Sequence, residues 1–186
     1  MKSTKYFEDI EKILKTPLTD KDVDFYLGSG HIMKYNQLNK IKSIYDILPE
    51  HKSFKIILLE NELNSGHWFA LLRYNNNIEV FNSYGTKIEN EFKFIPGFIQ
   101  KMLDENKKAL YDLLMNSNNE DEIIYNHDAL QSTNKDIATC GRWCIMRILF
   151  MRDYEYTLEE YLDYIYDLHK QTKKPLDIIV CEFVKK

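Results

Sequence analysis

Apolar side chains recur at helical spacing at the start of the chain, where Tyr6, Phe7, Ile10, Ile13 and Leu14 share one face. Thr19 followed by Asp22 forms a capping box that opens a second helix, and Gly28 supplies its stop. Ile41, Ile44, Tyr45 and Leu48 predict a third, ended by Pro49. The pattern then changes to that of strands. Residues 53–60 form one β-type run, 67–74 a second and 78–82 a third; the last two flank three asparagines, 75–77, and read as a hairpin. A helical stretch in two pieces runs from about Pro96 to Leu114, residues 116–119 are polar loop material, and 122–125 predict a fourth strand. Residues 141–151 are apolar around the whole helical circumference, with Arg142 and Arg147 interspersed and Arg152 just beyond, which places this helix inside the protein. Thr157 and Glu160 cap a further helix that ends near His169, and Leu176, Ile179, Val180, Phe183 and Val184 are spaced as a last one. Helices, a hairpin-based sheet and helices again predict one α+β domain over residues 1–186, with a small mixed sheet packed on a buried central helix and flanked by helices.

Composition narrows the function classes. The 186 residues are enough to bury a real core. Aromatics at 13%, with 13 Tyr and 10 Phe, exclude a disordered chain, collagen and a coiled coil, while 6 Gly and 4 Pro are too few for an all-β protein of many tight turns. The net charge of −4 runs against a life on nucleic-acid phosphates. Apolar runs are short and residues 1–9 lack the apolar core of a signal peptide, so no membrane partner is expected. Cys140, Cys144 and Cys181 cannot all pair within the chain, and no disulfide framework is visible, which points to a reducing compartment.

One of these cysteines stands where chemistry is possible. A free thiol has a pKa of about 8.5 and is only a few per cent ionised at neutral pH. The positive end of a helix and a nearby imidazolium both raise that fraction. Cys140 begins the buried helix, and Gly141 leaves room for a substrate backbone near the sulfur. Among five histidines, His31, His51 and His169 lie in polar settings and read as solvated, and His127 competes from the polar stretch before the cysteine. His67 opens an apolar strand and projects from a rigid sheet end, where a base is best held. A tight hairpin centred on Asn76 carries Asn82 to the same edge, where its amide oxygen can orient the imidazole; a plain turn role before Ser83-Tyr84-Gly85 fits it equally well. Gln131, in the loop leading to Cys140, is a candidate oxyanion donor together with the Cys140 backbone N–H. A zinc site from Cys140, Cys144 and a histidine lacks the second cysteine pair that a closed site needs, so no metal is expected. Cys144 falls one turn beyond Cys140 and reads as core.

Gly66-His67-Trp68, then Val80-Phe81-Asn82-Ser83-Tyr84-Gly85, then Gln131, then Thr139-Cys140-Gly141-Arg142-Trp143 resemble, in that order, the adenain-like cysteine proteases. These viral maturation enzymes share a fold with the SUMO-deconjugating proteases, and the nearest likeness is to the protease-like proteins of virophages, large DNA viruses and related mobile elements. The resemblance spans roughly Phe54 to Phe150. It implies Cys140 as nucleophile, His67 as general base, Asn82 as orienter, Gln131 as oxyanion donor, and Trp68 beside the site excluding water. It further implies an endopeptidase cleaving capsid or scaffold polypeptides at small-residue sites in the virion and the viral factory of the host cytoplasm; a monomer without a cofactor is expected. The abundance of Asn, Lys, Ile and Tyr is what an AT-rich genome encodes and suits a virus or virophage of a protist.

The chain departs from that pattern in three ways. Asn82 stands where most relatives have Asp or Glu, so the imidazolium gains no countercharge from it. The nine residues from Gln131 to Cys140 exceed the spacing in adenain. Adenain is strongly basic and uses DNA as a cofactor, whereas an acidic chain gives no reason to expect a nucleic-acid cofactor. Two other functions use the same residues: a deconjugase that removes a ubiquitin-like tag, and a non-catalytic capsid-associated interaction protein that keeps the fold.

Overall fold

The computed structural model describes residues 2–116 and 120–185, leaving out the side chains of residues 2–5 and 7; the Phe7 side chain expected on the first helical face and residues 117–119 expected as polar loop lie outside the described residues. Helix α1 (Lys2–Lys15) leads into α2 (Asp20–Leu27), whose capping box forms as the sequence implies. The Thr19 N–H donates to the Asp22 carboxylate at 2.9 Å, the Asp22 N–H returns to Thr19 Oγ1 at 3.4 Å, and Gly28 ends the helix at a φ of 83°. Strand β1 (Ile32–Lys34) has no counterpart in the sequence reading, because three residues are too few to show a period.

The third predicted helix is not an α-helix. Residues Tyr35–Lys40 and Ile44–Asp46 are two 3-10 turns instead. Ser43 and Asp46 cap the second turn reciprocally, and Pro49 cuts the chain off before a further turn can form. Burial still follows the apolar pattern: Ile44 and Leu48 are buried and Ile41 and Tyr45 half-buried. The periodicity identified which residues go inside and not which helix they form.

Strands β2 (Phe54–Glu62), β3 (Ser65–Tyr74), β4 (Asn77–Phe81) and β5 (Glu122–Tyr125) complete a five-stranded mixed sheet in the order β1-β2-β3-β4-β5. The outer pairs, β1 with β2 and β4 with β5, are parallel and the inner two are antiparallel. The turn between β3 and β4 is Asn75–Asn76, both at positive φ, and Tyr74 faces Asn77. Two asparagines therefore make the link and the third belongs to the strand, which moves the centre of the hairpin off Asn76.

Helices cover both faces of the sheet. Helix α3 (Ile88–Glu91) runs into a 3-10 turn, Phe92–Phe94, and α4 (Gly97–Met102) and α5 (Ala109–Asn116) are the two pieces of the predicted stretch. Then come α6 (Cys140–Tyr154), α7 (Leu158–Thr172) and α8 (Leu176–Phe183). On one face Leu58, Trp68, Ala70 and Leu72 pack against Trp143, Ile145 and Ile148 of α6. On the other, Ile57, Leu59, Phe69 and Leu71 pack against the 3-10 turns and Leu110 and Leu114 of α5. Coverage on both sides explains why the inner strands read as continuous apolar runs.

Helix α6 is the fold's axis, and its arginines are not at the surface. Arg142 is fully buried and donates to the Thr16 carbonyl at 2.7 Å and the Val184 carbonyl at 3.2 Å, joining the N-terminal segment to the last helix. Arg147 forms a buried bidentate pair with Glu79 of β4, at 2.9 and 2.8 Å. The first set ties the helix to both ends of the chain and the second fixes it against the sheet, and with it the residue at its head. No helix among the described residues is long and apolar enough to cross a membrane.

Candidate active site

The last pair between β3 and β4 is Ala70 with Phe81, so the first residues of β3 run on past the end of β4. His67 lies in that overhang, paired only with Leu59 of β2, and Asn82 follows directly on β4. The two side chains meet there, with His67 Nε2 2.7 Å from Asn82 Oδ1. An amide oxygen only accepts, so Nε2 carries the proton and Nδ1 is the nitrogen left for another partner. The Asn82 amide is held in this sense because its nitrogen donates to the Thr86 carbonyl at 2.9 Å, while its oxygen also accepts from the Tyr84 N–H at 3.1 Å. The Tyr84 ring stacks on the imidazole, with centroids 4.6 Å apart and planes 20° from parallel.

Cys140 is the first residue of α6 and is 8% exposed. The hydroxyl of Thr139, which would ordinarily cap the helix, donates instead to Asp177 of α8 at 2.5 Å. The N–H groups and positive dipole at the start of α6 are thus left facing the sulfur. Burial pushes the Cys140 thiol up, but a hydrogen bond from His67, its charge, and the N–H groups of Trp68 and Gly141 outweigh burial and hold the thiol below its usual value. Burial likewise opposes the charged imidazole. The hydrogen bond and charge of Cys140, the bond to Asn82 and the charge of Glu91 reverse this, leaving His67 above its usual value. Both shifts favour a thiolate–imidazolium pair. The other thiols behave oppositely: burial drives Cys144 well above its ordinary value and pushes Cys181 up to about 11. All three cysteines are free; the charge of Arg142 favours a Cys181 thiolate but burial outweighs it, so Cys140 alone of the three is held below its usual value.

Gln131 is 4% exposed and anchored by Ser83, whose hydroxyl donates to Gln131 Oε1 at 2.8 Å. Its amide nitrogen points toward the Tyr84 hydroxyl at 3.5 Å and the Ile137 carbonyl at 3.4 Å. The donor end of Gln131 and the imidazole of His67 therefore both adjoin Tyr84. Trp68 is buried in the same apolar cluster as Cys140, Leu18 and Leu130. Gly141 is buried too: a Cβ there would lie 3.5 Å from Leu18 and 3.6 Å from Trp68, so the room it leaves is against these two side chains.

The histidines set aside sort as follows. His127 is exposed, its ring 6.3 Å from that of Tyr125 and outside the cluster. His51 and His169 are exposed, but His31, expected to be solvated, is half-buried and stacked on Phe54 at 4.2 Å. Among the described residues no group of three or more His, Cys, Asp or Glu could hold a metal ion.

Several supporting residues carry no signal in the local sequence. Asp177 accepts from the Ser132 N–H at 2.9 Å and Trp143 Nε1 at 3.3 Å besides Thr139, so one carboxylate braces both the loop after Gln131 and the start of α6. Asn126 donates to the Asn82 carbonyl at 2.7 Å and to Asp128 at 3.0 Å. Ser83 and Tyr84 adjoin Asn82 in sequence, and that adjacency was the one available hint. Gly85 closes the same turn at a φ of 69°, where a Cβ would lie 2.6 Å from the Asp128 backbone. Gly85→Ala is expected to lower stability by about 1–3 kcal/mol through strained backbone alone, with the overlap adding to it. A urea midpoint equal to wild type would show that the 127–129 segment yields freely.

No protein-family profile matches the chain. It is 32% identical over 178 residues to the uncharacterized protein V9 of Sputnik virophage, covering 95% of this chain and 97% of that protein. The chain belongs to the family of that virophage protein. The match supports a virophage origin, in keeping with the composition expected of an AT-rich genome.

Proposed function

We propose that the protein is an adenain-like cysteine endopeptidase that cleaves capsid or scaffold precursor polypeptides during virion maturation. The observation that carries this reading is an imidazole, held at its far nitrogen by Asn82 2.7 Å away, that draws the Cys140 thiol at the head of a buried helix toward ionisation. Packing alone does not call for a thiol drawn toward ionisation at that position.

The chemistry follows from the positions. The Cys140 thiolate attacks the scissile carbonyl carbon, and the electron pair of the carbonyl moves to oxygen. The oxyanion accepts hydrogen bonds from the Gln131 amide and the Cys140 N–H. On collapse the C–N bond breaks, the proton of the imidazolium passes to the leaving amine, and a thioester remains on Cys140. Neutral His67 then takes a proton from water as the water oxygen attacks the thioester, releasing the acid and restoring the pair. Asn82 keeps the proton on Nε2 throughout, so that Nδ1 faces the reaction.

Co-expression with candidate capsid proteins tests this. Wild type is expected to give defined fragments, and Cys140→Ala none. Cleavage that persists in Cys140→Ala would end the proposal.

A further inference from the structure

Asn82 leaves His67 without a directly bonded carboxylate, yet the hydrogen bonds do not stop at the amide. The imidazole Nε2–H donates to Asn82 Oδ1 at 2.7 Å. The Asn82 nitrogen donates to Thr86 Oγ1 at 3.2 Å and lies 3.5 Å from Glu91 Oε1. The Thr86 hydroxyl in turn donates to that same oxygen of Glu91 in a short hydrogen bond. Every donor in the series points the same way, and each bond polarises the next, so the chain from imidazole to carboxylate strengthens as the ring becomes cationic.

We propose that Glu91 is a positioning residue of this site, the carboxylate that supplies through Asn82 and Thr86 the countercharge of the protonated His67 ring. The proposal rests on the protease reading for its consequence, though not for its electrostatics. Glu91 comes from α3, whose Ile88 lies in the same apolar cluster as Ile78 and Val80 of β4, and is half-buried. The ionisable groups facing the imidazole are the Cys140 thiol on α6, the Tyr84 phenol stacked on its face and the Glu91 carboxyl. Burial keeps the phenol neutral, pushing it up to about 12, so Glu91 is the anion that remains on the side away from the sulfur. Its charge favours the imidazolium, consistent with the upward displacement of His67. A residue acting this way stabilises the charged ring without accepting its proton, since the amide between them cannot relay one.

The experiment is an NMR titration of the His67 ring in the whole protein at low salt, with far-UV circular dichroism to verify folding. In Glu91→Gln, which keeps the shape and removes the charge, the ring is expected to lose its proton at lower pH. The imidazolium population at a fixed pH on that limb falls about three- to tenfold, the scale of one partly solvated charge. Glu91→Asp, which keeps the charge, stays nearer wild type, and adding Asn82→Asp to Glu91→Gln restores the imidazolium. A titration in Glu91→Gln that superimposes on wild type overturns the proposal, as does Glu91→Asp shifting as far as Glu91→Gln. Because the titration needs no substrate, a failure of the protease reading shows in Cys140→Ala cleavage alone, and a failure of the Glu91 role shows in the titration alone.

Discussion

Replacing His67 with Ala is expected to slow substrate cleavage by about 10²–10⁴-fold, the usual worth of a positioned general acid–base. The same change removes the two interactions that most oppose burial at Cys140, leaving only the Trp68 and Gly141 N–H groups to stabilise the thiolate. The thiol then rises. Alkylation by iodoacetamide near pH 6, where an ordinary thiol of pKa about 8.5 is well under ~1% ionised, is expected to fall to the rate of such a thiol or below. Wild type stays above it. The sign follows from the two displacements: Cys140 lies below its usual value and His67 above, so both favour the ion pair over the neutral pair. On the acid limb the sulfur regains its proton, and on the alkaline limb the ring loses its own. Cleavage is therefore bell-shaped in pH, with limbs that belong to the pair. An H67A protein alkylated as fast as wild type near pH 6 would mean that the imidazole is not the partner of the sulfur.

The second large effect is on stability, at the middle of the helix that carries the nucleophile. Arg147 and Glu79 are both fully buried, and the guanidinium also donates to the Tyr74 hydroxyl at 2.9 Å and the Tyr156 carbonyl at 3.1 Å. Tyr74 donates to Glu79 in turn and accepts from the Leu158 N–H at 3.1 Å, which draws the start of α7 into the same network. Arg147→Met strands the Glu79 carboxylate in an apolar interior and is expected to cost about 3–5 kcal/mol. Adding Glu79→Leu removes the stranded charge and is expected to recover much of that loss, since a buried pair is stabilising only against its broken form. Urea denaturation of the single and double variants measures both. A loss under about 1 kcal/mol for Arg147→Met would show that water reaches the pair.

The contrast between these residues indicates what was legible beforehand. Residues 141–151 announced a buried helix because apolar side chains surround it, and Arg147, which breaks that pattern, gave no hint of where its partner stood. Three residues of β1 were too short to be seen, and the segment around Ile44 had the spacing of an α-helix yet formed 3-10 turns under the capping of Ser43 and the stop at Pro49. At the site, His67, Asn82 and Cys140 were nameable because each stands at the end of an element: a strand's overhang, the residue after its hairpin partner and the first turn of a helix. Ser83, Asn126 and Asp177 were not, since each contributes a bond to something distant along the chain, and Glu91 was not, since only the folded segment after Asn82 brings it to Thr86 and Asn82.

Amphipathic period, capping boxes and the paired asparagines were sufficient to place most helices and strands and to mark the hairpin, because those signals act between residues a few positions apart. Which nitrogen of the imidazole carries its proton, and which carboxylates brace Thr139 and Asn82, came only with the packed chain. They depend on the sheet register, on where β4 stops, and on buried charges and backbone groups that fix α6 against the sheet. Such distances arise from the whole core settling at once, and no short stretch of residues encodes them.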